Sequence, residues 1–532
     1  MNSVFATRGM FVAPHALAAE SGLAILREGG NALEAMIAAA ATISVVYPHM
    51  NGIGGDSFWV IHEPGKEPIS IDACGRAAGI ASREWYAAHG VAAIPHRGPL
   101  AANTVAGTLS GWAQAVTLAR SRWDGHISTQ RLLEDAIHYA EHGIVVTASQ
   151  TACTQGKLAE LKDLPGFATR FLPGGTVPQP GTTLRQPTLA ATMRHLAKRG
   201  FDDFYHGELA RSIADDLARL GSPLTLADLE THHAEEGAPV RLDHSLGSIY
   251  NMAPPTQGVI SLAILGILDR LDLKAVPADS ADYVHLCVEA TKQAFRQIRD
   301  RYVTDPHYMT VHPQQLVADV TLAPLAENVD RARAAPWGNR AAAGDTVWMG
   351  CIDGAGRAVS FIQSIYHEFG SGLVLPQTGI NWQNRGASFS LDPQALQTLK
   401  PGRKPFHTLN PALARFKDGA VMPYGTMGGD GQPQTQCAVF TRIGVYGQGV
   451  QAAIAAPRWL LGRTWGQASD TLKLESRFDP ALVAELTRRG HDTEVLRAFD
   501  ETMGHAGAIK RSAEGVLEGG FDPRSDGAVA AF

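Results

Sequence analysis

The run from Ala343 to Gly372 constrains this chain more than any other stretch. Within it, Thr346 to Ile352 (TVWMGCI) has β-branched, aromatic and apolar residues without Pro, which predicts a strand. Its alternate positions are apolar on both faces: Trp348 and Ile352 on one, Val347, Met349 and Cys351 on the other. Such a strand is buried on two sides. Asp353-Gly354-Ala355-Gly356 reads as a turn and Arg357 to Ser364 as the returning strand. Symmetric pairing about the turn sets Ile352 against Arg357 and Thr346 against Gln363, beside Ser364. Two hydroxyls then meet at the open end of the hairpin, next to Phe369-Gly370-Ser371-Gly372.

A Thr inside a chain is a poor nucleophile, because its hydroxyl needs a base to accept the proton. A Thr made N-terminal by chain cleavage carries its own base, an α-amine with a reference pKa of about 8. Asp345-Thr346, after the loose Arg340-Ala341-Ala342-Ala343-Gly344, is a plausible place for that cut. The hairpin taken alone reads instead as an ordinary core strand, with Thr346 merely its first residue.

The 532 residues are 45% hydrophobic, enough for a large core. A net charge of −6 and a pI near 6.4 carry no nucleic-acid footprint. Cys74, Cys153, Cys287, Cys351 and Cys437 are scattered and odd in number, with no CxxC, so neither a disulfide framework nor a zinc site follows, and no metal or other cofactor is expected. Cys351 and Cys437 sit in apolar, strand-like runs and read as small core residues. The N-terminus lacks an apolar signal region, and the longest apolar stretch, Ala35 to Tyr47, is too short for a membrane span. The expectation is a soluble, cytoplasmic protein without membrane or nucleic-acid partners.

Pro14 to Arg27 predicts a helix closed at Gly29-Gly30. Asn31 opens a second, with Glu34 in capping-box spacing, apolar nearly all round and therefore internal. It runs into Tyr47-Pro48-His49-Met50-Asn51-Gly52-Ile53-Gly54-Gly55-Asp56, then a strand, Ser57 to His62. A phosphate loop runs from strand into helix, and GIGG is not GxGxxG, so dinucleotide binding is a weak reading. Residues 100–330 read as mostly helical, with helical periodicity over 209–220, 259–271 and 281–301. In the last of these, Glu289, Lys292 and Arg296 form a polar face that reads as solvated. From Asp345 onward strands and turns dominate, until a helix around Pro480 to Arg489. No repeat or linker separates independent domains.

Read together, these segments resemble the gamma-glutamyltransferase family of N-terminal-nucleophile hydrolases almost end to end. The resemblance is carried in order by Ala18-Ala19-Glu20 through Ala32, Pro48-His49 with Gly52-Ile53-Gly54-Gly55, and Arg97 with Thr104-Val105-Ala106-Gly107. Glu289-Ala290-Thr291-Lys292, Asp305-Pro306, Asp345-Thr346 and Phe369-Gly370-Ser371-Gly372 follow, then Gly428-Gly429 and Asp522 to Gly527. It implies an α+β fold, a four-layer αββα sandwich, from a precursor that cuts itself between Asp345 and Thr346. The large subunit would be 1–345 and the small one 346–532, interwoven as one domain, and such pairs could associate as a homodimer. Thr346 would be the nucleophile and its α-amine the base. Gly428 and Gly429 match the oxyanion-hole glycines, a role in which one donor is typically worth about 3 kcal/mol. Arg97 matches the arginine that holds a substrate carboxylate. Ser364 matches a second hydroxyl beside the nucleophile, commonly Thr in the family.

The departures bear on the substrate. Ser388 stands where glutathione-processing members carry an Asp for the glutamyl ammonium, and Arg385 where a neutral amide is usual. Tyr366 replaces an Asn, and His407-Thr408 replace the Ser pair that binds the α-carboxylate. Losing the charge-assisted bond to an ammonium removes about 1.5–3 kcal/mol. These changes suggest a bulkier pocket that has lost an acid and gained a cation. Such a site suits a small anionic amide, and the runs SIYHEFGSG, NWQNRGASFSLDP and PGRKPFHTLNPAL resemble the family branch that cleaves oxamate to oxalate and ammonia in purine-ring breakdown. Two alternatives stand beside it: a glutathione hydrolase or transpeptidase with a rearranged amine site, and an uncleaved, non-catalytic binding protein.

Overall fold

Two seven-stranded antiparallel sheets face each other at the centre of the chain, as seen in a computed structural model that describes residues 2–338, 345–463 and 469–532. The Arg340–Gly344 run, expected to be loose, lies outside the described residues. The first sheet runs in the order Ala528–Ala531, Met10–Ala13, Asp345–Ile352, Ala358–Tyr366, Asp56–His62, Ile69–Ala73 and Glu235–Gly237. The second runs Val4–Ala6, Leu517–Phe521, Ala506–Arg511, Val421–Thr426, Ala412–Phe416, Gly247–Asn251 and Val240–His244. Each sheet therefore draws strands from both sides of the Asp345-Thr346 bond.

The two faces of the central strand separate as its alternation requires. Trp348 and Ile352 join Phe58, Val60 and Ile362 against Tyr250, Leu413, Ile509 and Leu517 of the opposite sheet. Val347, Met349 and Cys351 pack outward onto the helix pair Ala16–Arg27 and Ala32–Val46. Helices Gly258–Asp269, Ala281–Ala294 and Gln432–Phe440 cover the other sheet, completing an αββα sandwich. The Ala32–Val46 helix has the expected capping box, with Asn31 Oδ1 accepting from the Leu33 and Glu34 amides and Glu34 accepting from the Asn31 amide. The preceding helix begins at Ala16 rather than Pro14, because the His15 ring accepts the Leu17 amide and caps it there.

Several expectations are corrected. The hairpin pairs Ile352 with Ala358 and Val347 with Gln363, one position off the symmetric register. Asp353 causes the shift: its carboxylate accepts the Ala355 and Arg357 amides and lengthens the turn by one residue. Residues 100–330 contribute five strands besides their helices: Ile144–Val145 and Thr183–Leu184, which pair with each other, and Glu235–Gly237, Val240–His244 and Gly247–Asn251, which join the two large sheets. Cys437 lies in a helix, not a strand. That helix is buried at every position, so it has no amphipathic period to read, although Pro433 in its first turn marks its start. The polar face of Ala281–Ala294 is not solvated: Lys292 and Glu289 are buried and paired at 2.7 Å. Lys292 also donates to the Ala335 carbonyl, Glu289 accepts the Ala335 amide, and Arg296 donates to the Pro336 carbonyl. This face clamps the segment leading toward the proposed cut.

Trp348 spans the inter-sheet layer, its Nε1 donating to Ser360 Oγ at 3.0 Å and its ring against Gly425 and Gly507. Trp348→Ala is expected to cost about 3–5 kcal/mol, the range for truncating a large buried aromatic. The denaturant midpoint measures this; Trp348→Phe should lose markedly less, and an unmoved midpoint for the alanine variant would contradict the packing.

Candidate active site

The site forms where the start of Asp345–Ile352 and the end of Ala358–Tyr366 reach the same edge of the sandwich. Asp345 pairs with Tyr366 and Val347 with Gln363, so Thr346 alone faces Ser364 and Ile365 in a register shift. On its other side Ser364 pairs with Asp56, which places Thr346, Ser364 and Asp56 on three adjacent strands at one level. Thr346 and Ser364 are both buried, and Ser364 Oγ accepts the Tyr366 amide at 2.8 Å. Gly55 is needed here, because a Cβ would lie 2.0 Å from the Ser364 carbonyl oxygen.

The opposite sheet supplies the second wall. Gln432, the first residue of its helix, donates from Nε2 to Thr346 Oγ1 at 3.4 Å. Its Oε1 accepts from Asn410 Nδ2 at 3.1 Å, and Asn410 Oδ1 accepts from Ser261 Oγ at 2.9 Å. A chain of buried amides thus fixes the group facing the Thr346 hydroxyl. Gly428 and Gly429, at φ +117° and +52°, make the turn before that helix in a conformation that favours glycine. Gln257 Nε2 donates to both the Gly429 and Thr408 carbonyls, and Asp430 pairs with Arg299 at 2.8 Å, so the turn is held from two sides.

Arg385 is the prominent group of the remaining wall. It is buried, and its Nε, Nη1 and Nη2 have no hydrogen-bond partner among the described residues. Its guanidinium lies 3.9 Å above the Tyr366 ring, and Tyr366 itself sits at φ +80°, a strained backbone for an aromatic residue of a kind that clusters at functional sites. Burial pushes the Arg385 pKa down to about 10, so it remains a cation at neutral pH. Ser388 Oγ, Thr408 Oγ1 and both ring nitrogens of His407 are likewise buried without hydrogen-bond partners among the described residues. Burial, Arg385 and Lys404 hold the His407 pKa well below its usual value, so the ring is neutral.

Arg97, expected to hold a substrate carboxylate, is engaged by protein groups through Nε and Nη1. Its Nη1 donates to the Glu368 and Gly370 carbonyls at 2.7 and 2.5 Å, and its Nε donates to Glu160 at 3.1 Å. It also stands 3.7 Å from the Glu368 carboxylate. Arg97 therefore fastens the Glu368–Gly370 loop, and Arg385 is the buried guanidinium whose donors the protein leaves unmatched.

Sequence reasoning missed three parts of this site. Gln432 and Asn410 are neutral amides, one opening a helix buried all round and one in a loop, with no spacing that announces a catalytic partner. Asp56 was visible as the acid closing the glycine turn, yet it read only as the last residue of that turn, before a strand starting at Ser57. The structure puts it in the pocket: Oδ1 accepts the Gly75 and Gly107 amides and Gln383 Nε2, and Oδ2 lies 3.1 Å from His407 Nε2, off the line of a hydrogen bond.

A two-sheet sandwich with a strand-start threonine facing fixed amides across the sheets defines an N-terminal-nucleophile hydrolase of C–N bonds. The chain belongs to the gamma-glutamyltranspeptidase family, whose model matches residues 18–532. It is 58% identical over 531 residues to an oxamate amidohydrolase proenzyme of Klebsiella pneumoniae, covering 100% of each chain. It is 40% identical to a glutathione hydrolase-like proenzyme of Bacillus subtilis, covering 99% of each. Among solved structures, a cephalosporin acylase from Bacillus halodurans superposes with a TM-score of 0.90 at 34% identity, over 100% of this chain and 97% of that one.

Gln432→Leu removes the donor facing Thr346 Oγ1 while keeping the side chain's bulk. Losing one orienting hydrogen bond should lower kcat about tenfold and change KM little. Steady-state ammonia release measures both, and a changed KM with unchanged kcat would remove Gln432 from a positioning role.

Proposed function

We propose that the chain is a self-processing N-terminal-threonine amidohydrolase that cleaves oxamate, a small acidic amide, to oxalate and ammonia. The observation that carries this reading is the buried Arg385 guanidinium with unmatched donors. An unpaired buried charge is costly, and a substrate carboxylate held by two parallel hydrogen bonds would offset that cost. In oxamate the carboxylate is bonded directly to the amide carbon, so a compact pocket can hold both groups. The name of the relative at 58% identity points to the same substrate.

The chemistry starts with the precursor. Thr346 Oγ attacks the Asp345 carbonyl, the acyl group moves from nitrogen to oxygen, and water opens the ester. This yields a large subunit, 1–345, and a small one, 346–532, which stay together because both sheets contain strands from each. The new α-amine then accepts the Thr346 hydroxyl proton as Oγ attacks the amide carbon. Backbone N–H groups at Gly428 and Gly429 receive the developing oxyanion. The α-amine returns its proton to the departing nitrogen, ammonia leaves, and water, activated by the same amine, releases oxalate. Arg385 orients the carboxylate, with the hydroxyls of Ser388 and Thr408 as further donors, Tyr366 flat against the guanidinium and Ser364 beside the nucleophile. A place in purine-ring breakdown in the cytoplasm, and association of two subunit pairs, belong to the same proposal. Among the described residues no helix is long and apolar enough to cross a membrane.

Two measurements test it. On a denaturing gel the protein should run as two fragments, the smaller beginning at Thr346, and Thr346→Ala should stay a single chain. An intact wild type that is fully active would contradict the mechanism. In kinetics, kcat/KM for oxamate should exceed that for a γ-glutamyl anilide on the order of a hundredfold, the scale of a site that leaves an ammonium unpaired. Arg385→Lys should weaken oxamate binding while sparing self-cleavage, because the point charge lacks the paired geometry. A better γ-glutamyl donor would favour the glutathione hydrolase reading instead.

A further inference from the structure

We infer that Asp56 is a substrate-binding residue that acts in its protonated form: its Oδ2–H donates to the substrate carboxylate held by Arg385, and the pocket takes up one proton with each anionic substrate. This rests on the reading above that the substrate is an acidic amide.

The geometry comes first. Asp56 opens its strand directly opposite Ser364, one strand from Thr346, and is fully buried. Its two oxygens have different surroundings. Oδ1 accepts three hydrogen bonds, from the Gly75 and Gly107 amides and Gln383 Nε2, which fix the carboxyl in place. Oδ2 is buried with no hydrogen-bond partner among the described residues, in the cluster that also holds the unmatched nitrogens of Arg385 and His407. The elements packed around it supply few charges. Donor atoms of Asp56, Cys74 and His407 lie within 4.8 Å of one another. His407 is kept neutral, and burial raises the Cys74 thiol well above its usual pKa. Tyr205 is likewise pushed up by burial and stays neutral. Lys404 is engaged by Asp72 at 2.8 Å and Glu235 at 3.0 Å. Among the described residues, Arg385 is thus the cation left for Asp56 and for a substrate anion to share.

Two carboxylates cannot both stay ionised around one buried guanidinium without strong repulsion, and the usual outcome is that one holds a proton. Asp56 is already poised for this. Burial raises its pKa to about 7, against the opposing pull of the Gly75 and Gly107 amides, Arg385 and Gln383. A neutral carboxylic acid beside a bound anion is a donor rather than a repelling acceptor. The sign follows: Asp56 is protonated below about pH 7 and ionises above it, so affinity for the anion is full at low pH and lost as pH rises. The α-amine of Thr346 works in the opposite direction, since it must be neutral to act as a base, and Arg385 ionises only near 10. An alkaline limb in anion affinity near neutrality is therefore expected from Asp56.

The test compares the wild type with Asp56→Asn, whose Oδ1 can keep the three hydrogen bonds while its Nδ2 supplies a donor that does not titrate. Apparent oxamate affinity of the wild type should fall about tenfold per pH unit above 7, or about thirtyfold between pH 6 and 8.5. For Asp56→Asn the fall should be less than about threefold over the same range. Calorimetry of oxalate binding in two buffers of different ionisation enthalpy reads proton uptake without turnover. About one proton per oxalate is expected for the wild type at pH 8 and none for the variant. A wild-type limb retained in Asp56→Asn, or oxalate binding by the wild type without proton uptake, overturns the inference even if the variant fails to fold. Absence of oxamate hydrolysis, with oxalate still bound and a proton taken up, would count against the proposed reaction alone. Failure of oxalate to bind would overturn both.

Discussion

The antiparallel ladder between Asp345–Ile352 and Ala358–Tyr366 holds the start of one strand and the end of the other at a single edge of the sandwich. Because the ladder sits third and fourth in its sheet, both of its edges are paired, and the shift at Thr346 is the point where its regular pairing gives way. The hydroxyl there faces the Gln432 amide, on the helix that covers the other sheet. Every group proposed to act on substrate reaches this edge from a different part of the chain: Asp56 from the first glycine turn, Arg385 from the loop after the hairpin, Gly428 and Gly429 from the turn before the Gln432–Phe440 helix. Removing the ladder would leave none of them in register.

The site joins a rigid frame to an unsatisfied centre. The side-chain N–H groups of Gln383, Gln257 and Asn410 are held by fixed acceptors, whereas Arg385, His407, Ser388, Thr408 and one oxygen of Asp56 retain unmatched polar atoms. Buried polar groups are ordinarily paired, so a cluster of exceptions beside a nucleophile marks where a polar ligand belongs. The charge types narrow the ligand to an anion.

Much of the architecture was legible in the sequence, because its signals are local. The two apolar faces of Thr346–Ile352 foretold a strand between layers, and Asn31 with Glu34 foretold the capped inner helix. The hairpin register was missed by one residue, since the Asp353 side chain, not the backbone pattern, sets the length of the turn. The Gln432–Phe440 helix was missed because a helix buried all round carries no amphipathic period. At the site, Thr346, Ser364 and Arg385 were singled out from sequence and the fold brings them to one end of the sandwich. Arg97 was singled out too, but its acceptors lie in a loop some 270 positions away, and only the folded chain shows that they occupy its guanidinium. Asp56 reaches the site from a neighbouring strand of the same sheet and Gln432 from the helix layer beyond the other, and no spacing along the chain reports such contacts.

The central claim is that Thr346 itself takes the acyl group of a small acidic amide. Acid quenching of the protein during turnover of oxamate, followed by intact-mass and peptide mass spectrometry, tests it directly. The account expects a fraction of the 346–532 fragment to carry one oxalyl group, mapped to Thr346 and absent without substrate. An oxalyl group mapped to another residue, or continued turnover by a chain whose Thr346 has been replaced, would contradict it.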